Sequence, residues 1–168
     1  MNTPSRGFSV IELLVAMTIA AVLMMFAFPA FNDFTDQRRM TTNANAFISA
    51  INYARNEATR RGGEVTLQSV DADDSDNEWG LGFCVNAGDP GNCDTPLQIF
   101  TIDGSITLDG LGLLNNEEAL SFNSRGMLQD GLQGQIQLCG EDADDDPGRV
   151  INISAIGRAS VLELTCYP

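Results

Sequence analysis

The chain contains no lysine and no histidine. Without histidine it lacks both the commonest general base and the commonest transition-metal ligand near neutral pH. Its four cysteines include no CxxC pair, which together with the missing histidine argues against a zinc site. No GxSxG, P-loop, HExxH or dinucleotide fingerprint occurs, and acid pairs such as Glu117-Glu118 sit beside turn residues with no sign of a cleft. Enzymatic activity, cofactors and metal ions are therefore not expected. Positive charge is scarce too. Residues 64–168 carry three arginines against nineteen acids, a net −16, while residues 1–63 carry six arginines against four acids, a net +2. So acidic a region stays soluble and repels nucleic acid, whose affinity rests mainly on Lys and Arg contacts to phosphate.

What the chain does have is concentrated at its beginning, in RGFSVIELLVAMTIAAVLMMFAFPAF, residues 6–31. From Leu13 to Phe31 the run is apolar except for Thr18. At ~1.5 Å per residue that matches the ~30 Å hydrocarbon core of a bilayer. An ordinary secretory signal would be cut after the apolar core beside small residues, but the nearest candidate, around Ala27 to Ala30, contains Phe28 and Pro29. Glu12 lies near the start of this run. An acid in lipid costs several kcal/mol unless partnered, and a single helix supplies no partner.

Past Pro29, whose ring and missing N–H kink a helix, the pattern turns amphipathic. Met40, Ala44, Phe47, Ile51, Ala54 and Ala58 recur at helical spacing with Ile48 beside them, while Arg38, Asn45, Asn52 and Thr59 fall opposite. Gly62-Gly63 is the stop signal. The remainder alternates at period two between turn residues. Strands are expected at 64–70, 80–85, 97–102, 105–108, 119–122, 135–139, 150–154 and 159–165, forming antiparallel sheet, in two small sheets, on the helix face. The expected class is α+β, with no internal repeat and no long linker. The acidic stretches DADDSDNE at 71–78 and EDADDDPG at 141–148 are expected to be solvated loops, with Pro147-Gly148 as a turn. DADDSDNE has a calcium-loop rhythm at Asp71, Asp73, Ser75 and Asn77, but Asp76 stands where such a loop needs its glycine.

Arg6-Gly7-Phe8-Ser9-Val10-Ile11-Glu12-Leu13-Leu14 resembles the class III signal of type IV pilins and pseudopilins. The resemblance implies a type IV pilin-like fold and a division into a leader (1–7), the transmembrane half of a helix (8–31), its amphipathic half (32–61) and a β-rich head (64–168). It also implies that prepilin peptidase cuts between Gly7 and Phe8 and methylates the new terminus. Glu12 becomes the fifth mature residue, associated with the terminal amine of a neighbouring subunit, and Pro29 falls where pilins commonly carry a helix-breaking proline. Further along, Tyr53-Ala54-Arg55-Asn56-Glu57-Ala58, Trp79-Gly80-Leu81-Gly82-Phe83 in an early strand, Phe122-Asn123-Ser124-Arg125-Gly126, and the stretch from Ile151 to Arg158 resemble the GspH/FimT/FimU family of minor pilins and minor pseudopilins.

That narrower resemblance implies a minor pilin in a priming or tip complex for type IV pilus assembly and twitching motility. Its partners would be other minor pilins and the major pilin through helix packing, with an inner-membrane anchor, a periplasmic head and then a place in the surface pilus. One alternative is a GspH-like pseudopilin of type II secretion. Another is a DNA-binding minor pilin. For the latter, Gly157-Arg158-Ala159-Ser160 has one arginine of a two-arginine DNA-contacting segment, with Ser160 at the second position. Outside the inner membrane the four cysteines are expected to form two disulfides, for which three pairings exist. Cys84 and Cys93 bracket a loop of turn formers and are placed to staple it locally. Cys139 and Cys166 end strands one apart in a meander, ~9.6 Å away from each other, where a disulfide needs Cα atoms within ~4.4–6.8 Å. Pairing them requires the tail to bend across the middle strand. Resemblance to pilins with a C-terminal disulfide loop favours Cys139 with Cys166.

Overall fold

A computed structural model describes residues 8–70, 79–88, 90–91, 93–102, 106–115, 117–140 and 147–166. They fall into two compact units, Met1–Asp36 and Gln37–Pro168. Helix α1, Val10–Arg61, contributes to both. Its end follows from local chemistry. Gly62 takes a φ of 65°, and the Gly63 N–H reaches back to the Ala58 carbonyl at 3.3 Å, closing the last turn in the manner of a Schellman motif.

In the second unit eight strands are found among the described residues. Strands β1 (Val65–Ser69), β2 (Phe83–Ala87), β3 (Gln98–Phe100) and β5 (Ala119–Phe122) make one antiparallel sheet in the order β3-β2-β1-β5. Strands β4 (Ile106–Leu111), β6 (Gly134–Gly140), β7 (Pro147–Ile153) and β8 (Ala159–Thr165) make the other in the order β4-β6-β7-β8. Every residue of the expected helix stripe, Met40, Ala44, Phe47, Ile51, Ala54 and Ala58, is buried, and Ile48 packs against the same cluster. That cluster joins Leu67, Phe83 and Leu120 of the first sheet to Leu108, Ile136 and Ile151 of the second. At its centre Phe47 sits edge-on to Trp79 at 5.2 Å and to Phe83 at 5.0 Å, geometry that adds to plain area burial.

The strands differ from the sequence expectation in instructive places. Trp79, Gly80 and Leu81 form a turn closed by the Gly82 N–H on the Trp79 carbonyl, so β2 begins only at Phe83. Gly82 has φ 110°, and a side chain there would meet the Phe100 carbonyl at 2.8 Å. Strand β4 continues through Asp109 and Gly110 to Leu111, because its ladder with β6 runs to the Leu111 and Gln135 pair. Pro147-Gly148 is not a turn: the two residues open β7. Proline has no N–H to give to a ladder, and the first residue of a strand is a position where that loss is tolerated. Residues 71–78 and 141–146, most of the two acidic stretches, lie outside the described residues.

Candidate functional site: the anchor helix and the head junction

In the first unit, Val10–Phe28 is long and apolar enough to cross a membrane, with mean hydropathy 2.5, and none of it is buried. Apolar side chains face outward all round, from Val10 and Ile11 to Phe26 and Phe28. Such a surface suits lipid or neighbouring apolar helices rather than water. Glu12 stands in the first turn, where the partial positive charge of a helix N-terminus favours a carboxylate. Its N–H and that of Leu13 both reach the Ser9 carbonyl at 3.1 Å. The Glu12 side chain is exposed. Gly7 lies outside the described residues, while Phe8 is exposed just ahead of the helix. Pro29 falls inside α1.

In the second unit, segments far apart in sequence meet at one junction. The Arg55 side chain of α1 donates from Nε to the Gly126 carbonyl at 3.0 Å. Gly126, at φ 72°, ends a turn whose Asn123 carboxamide accepts from the Arg125 and Met127 N–H groups at 2.9 and 3.2 Å. The Leu128 N–H then reaches the Ala155 carbonyl at 3.1 Å, tying this turn to the one between β7 and β8. Gly157 closes the triangle with φ 72°: a methyl group there would lie 2.8 Å from both Arg55 Nε and the Gly126 carbonyl. Both glycines hold a positive φ that an L side chain rarely adopts; at Gly157 there is no space for one either, while at Gly126 an added methyl group would press on the Thr59 hydroxyl at 3.2 Å. Three of the segments that carry the family resemblance are thus the three walls of one contact, and Trp79 of the fourth fills the core. Nothing in the spacing of Arg55, Gly126 and Gly157 announces their meeting.

A turn away, Glu57 is 6% exposed and takes hydrogen bonds from Arg60 and Arg61. These hydrogen bonds, from Arg60 first and then Arg61, hold its carboxyl down to about 2 from an ordinary 4.5. The same contact raises Arg60. The pair also places positive charge at the helix C-terminus, where the dipole favours it.

The cysteines pair as Cys84–Cys93 and Cys139–Cys166, each with Cα atoms 5.9 Å apart. The first closes a loop that the Gln68 carboxamide also clamps, donating to the Gly91 carbonyl and accepting from its N–H, both at 2.8 Å. The second spans the middle strand β7. It passes over Gly148, where a side chain would collide with both the Cys166 sulfur and the Leu138 carbonyl and come within 3.3 Å of the Cys139 sulfur. A glycine at that strand position is what lets the tail cross. Arg158 is exposed. Among the described residues no group of three or more His, Cys, Asp or Glu could hold a metal ion.

An apolar anchor helix whose second half lies in the core of a two-sheet antiparallel head is the type IV pilin-like fold. The model of the family described as type II transport protein GspH matches residues 43–157, and the prokaryotic N-terminal methylation motif matches residues 2–28. The chain belongs to the GspH family of minor pilins and minor pseudopilins. A fimbrial protein of Pseudomonas aeruginosa is 28% identical over 104 residues, 61% of this chain and 65% of that one, so the chain spans just under two thirds of that relative. A solved structure of the type IV minor pilin FimU of Pseudomonas aeruginosa shares the fold with a TM-score of 0.65 at 24% identity, over 80% of this chain and 99% of the solved chain. The minor pseudopilin EpsH from the type 2 secretion system of Vibrio cholerae gives 0.49 at 13%, over 76% and 97%.

Proposed function

We propose that this chain is a minor pilin of the FimT/FimU kind. Prepilin peptidase cuts after Gly7 and methylates the amine of Phe8. The anchor helix then holds the subunit in the inner membrane with its head in the periplasm, until it leaves with other minor pilins in a priming or tip complex of a type IV pilus. Glu12 supplies the physical drive. Alone in lipid its charge costs several kcal/mol, and pairing with the terminal amine of a neighbouring subunit relieves that cost on assembly. The helix-breaking proline at position 29 belongs to the same reading. It is not an enzyme but the peptidase's substrate.

The observation that carries the pilus reading is the C-terminal meander closed by Cys139–Cys166, which resembles the disulfide loop of pilus members. The description of the matching family favours a second reading, a pseudopilin of type II secretion built by the same physics. DNA uptake gains little support, since one exposed Arg158 stands in a region of three arginines and nineteen acids. The test is deletion of the gene in its host, scoring surface pili and twitching beside exoprotein secretion, with complementation by wild type and Glu12→Ala. The pilus reading expects lost pili, normal secretion and rescue by wild type alone. Normal pili with failed secretion would move the protein to the pseudopilins.

A further inference from the structure

Four residues in register cross the second sheet from edge to edge: Leu111 of β4, Gln135 of β6, Asn152 of β7 and Ser160 of β8. The next row, with Ile136, Ile151 and Val161, faces the core, so this one faces away from it. It floors a groove of about 750 Å³, walled by Leu113 on one side and by Ile156 and Arg158 on the other. The floor is ordered: Gln135 Nε2 donates to Asn152 Oδ1 at 2.6 Å, which leaves the Gln135 oxygen as acceptor and the Asn152 amide as donor. The wall is ordered as well. The Arg158 main chain is fixed by Ser154, whose hydroxyl accepts from its N–H at 3.1 Å and whose N–H donates to its carbonyl at 3.0 Å. Its guanidinium is nevertheless exposed, with no hydrogen bond or ion pair among the described residues, whereas Arg149 faces Glu163 and Arg55 is spent on Gly126. Leu113 and Ile156 are 64% and 54% exposed.

We propose that this groove binds an extended peptide segment bearing one carboxylate, contributed by a different subunit of the assembly. The proposal rests on the reading of the chain as an assembly subunit, in a pilus or a pseudopilus alike. A donor and an acceptor on a floor of carboxamides match a peptide backbone. The two aliphatic walls take apolar side chains, and Arg158 takes the acid in a charge-assisted pair. Three interstrand spacings of ~4.8 Å hold about four extended residues at ~3.3 Å each. Other ligands fit worse. Among the described residues no aromatic side chain lines the groove, so sugar rings and bases lack a stacking platform. A polyanion would be repelled by the −16 of residues 64–168, and so would a second copy of the same head. A single carboxylate on a neutral segment needs only the one arginine.

The test uses the full-length protein in its host, with p-benzoylphenylalanine replacing Leu113 or Ile156 in the groove, Thr59 elsewhere on the head, or Ile19 in the anchor helix. The proposal expects both groove positions to crosslink to another pilin-type subunit at an extended stretch containing Asp or Glu, with little product from Thr59. Arg158→Gln should cut the groove product roughly tenfold, as expected for loss of one charge-assisted pair, while leaving the Ile19 product unchanged. Groove products insensitive to Arg158→Gln, or formed with saccharide, DNA or a second copy, would overturn it. So would silence at the groove with Ile19 still crosslinking, which leaves the assembly reading standing. Silence at all positions would remove both.

Discussion

The two halves of helix α1 teach different lessons from the same secondary structure. From Val10 to Phe28 the apolar side chains are exposed on every side, and no stripe distinguishes one face. From Met40 to Ala58 a single stripe is buried while Arg38, Asn45, Asn52 and Thr59 remain in water. Helical hydrogen bonding is common to both, so what differs is the solvent each half is built for. The first half presents an apolar surface suited to lipid or an apolar neighbour. The second is a structural member of the head.

The contrast is broken most forcefully in the core. Phe47→Ala should destabilise the head by about 3–5 kcal/mol, because Phe47 is fully buried between Trp79 and Phe83. Leu23→Ala, a comparable truncation on the exposed half, should leave head unfolding unchanged. Denaturant titration of the full chain in detergent micelles, followed by the fluorescence of the one tryptophan, reads both. A large effect of Leu23→Ala would erase the distinction.

Next comes the tail. Gly148→Val should displace the Cys139–Cys166 crossing and expose two titratable thiols, with a loss of about 2–4 kcal/mol. Gly157→Ala should cost about 1–3 kcal/mol by forcing a methyl group at positive φ against Arg55 Nε and the Gly126 carbonyl. Gly91→Ala is its control, since nothing lies within 4 Å of the added methyl and no positive φ is involved; it should fall within ~0.5 kcal/mol of wild type.

The smallest effect concerns pH. Glu57 in the folded head titrates at about 2, below its ordinary 4.5, so its contribution is fully present above about 4.5 and is lost as pH falls from there towards 2. Glu57→Gln should therefore be less stable than wild type at neutral pH, and the difference should shrink across that window. A difference unchanged down to pH 2 would mean that the Arg60 and Arg61 contacts do not discriminate the charged carboxyl.

Much of the fold was legible in sequence because it is periodic. The Met40–Ala58 stripe, the regions of all eight strands and the division into two sheets follow from local alternation and turn residues. What escaped was long-range or depended on a missing side chain. Arg55 and Gly126 are 71 residues apart, and their contact appears only once the helix and both turns are placed. Gly148 reads as half of a Pro-Gly turn until Cys139 on β6 and Cys166 just past the end of β8 show why no side chain fits. Gln135, Asn152 and Ser160 look like ordinary polar strand positions, and only strand order puts them in one row.

The central claim is that the N-terminal segment is a processed, methylated anchor rather than an ordinary signal or an uncut span. N-terminal sequencing and intact mass of the protein purified from host membranes test it directly. The account predicts a chain beginning at N-methylated Phe8 with Glu12 as its fifth residue. A chain still beginning at Met1, or one cut near Ala27 to Ala30, would contradict it.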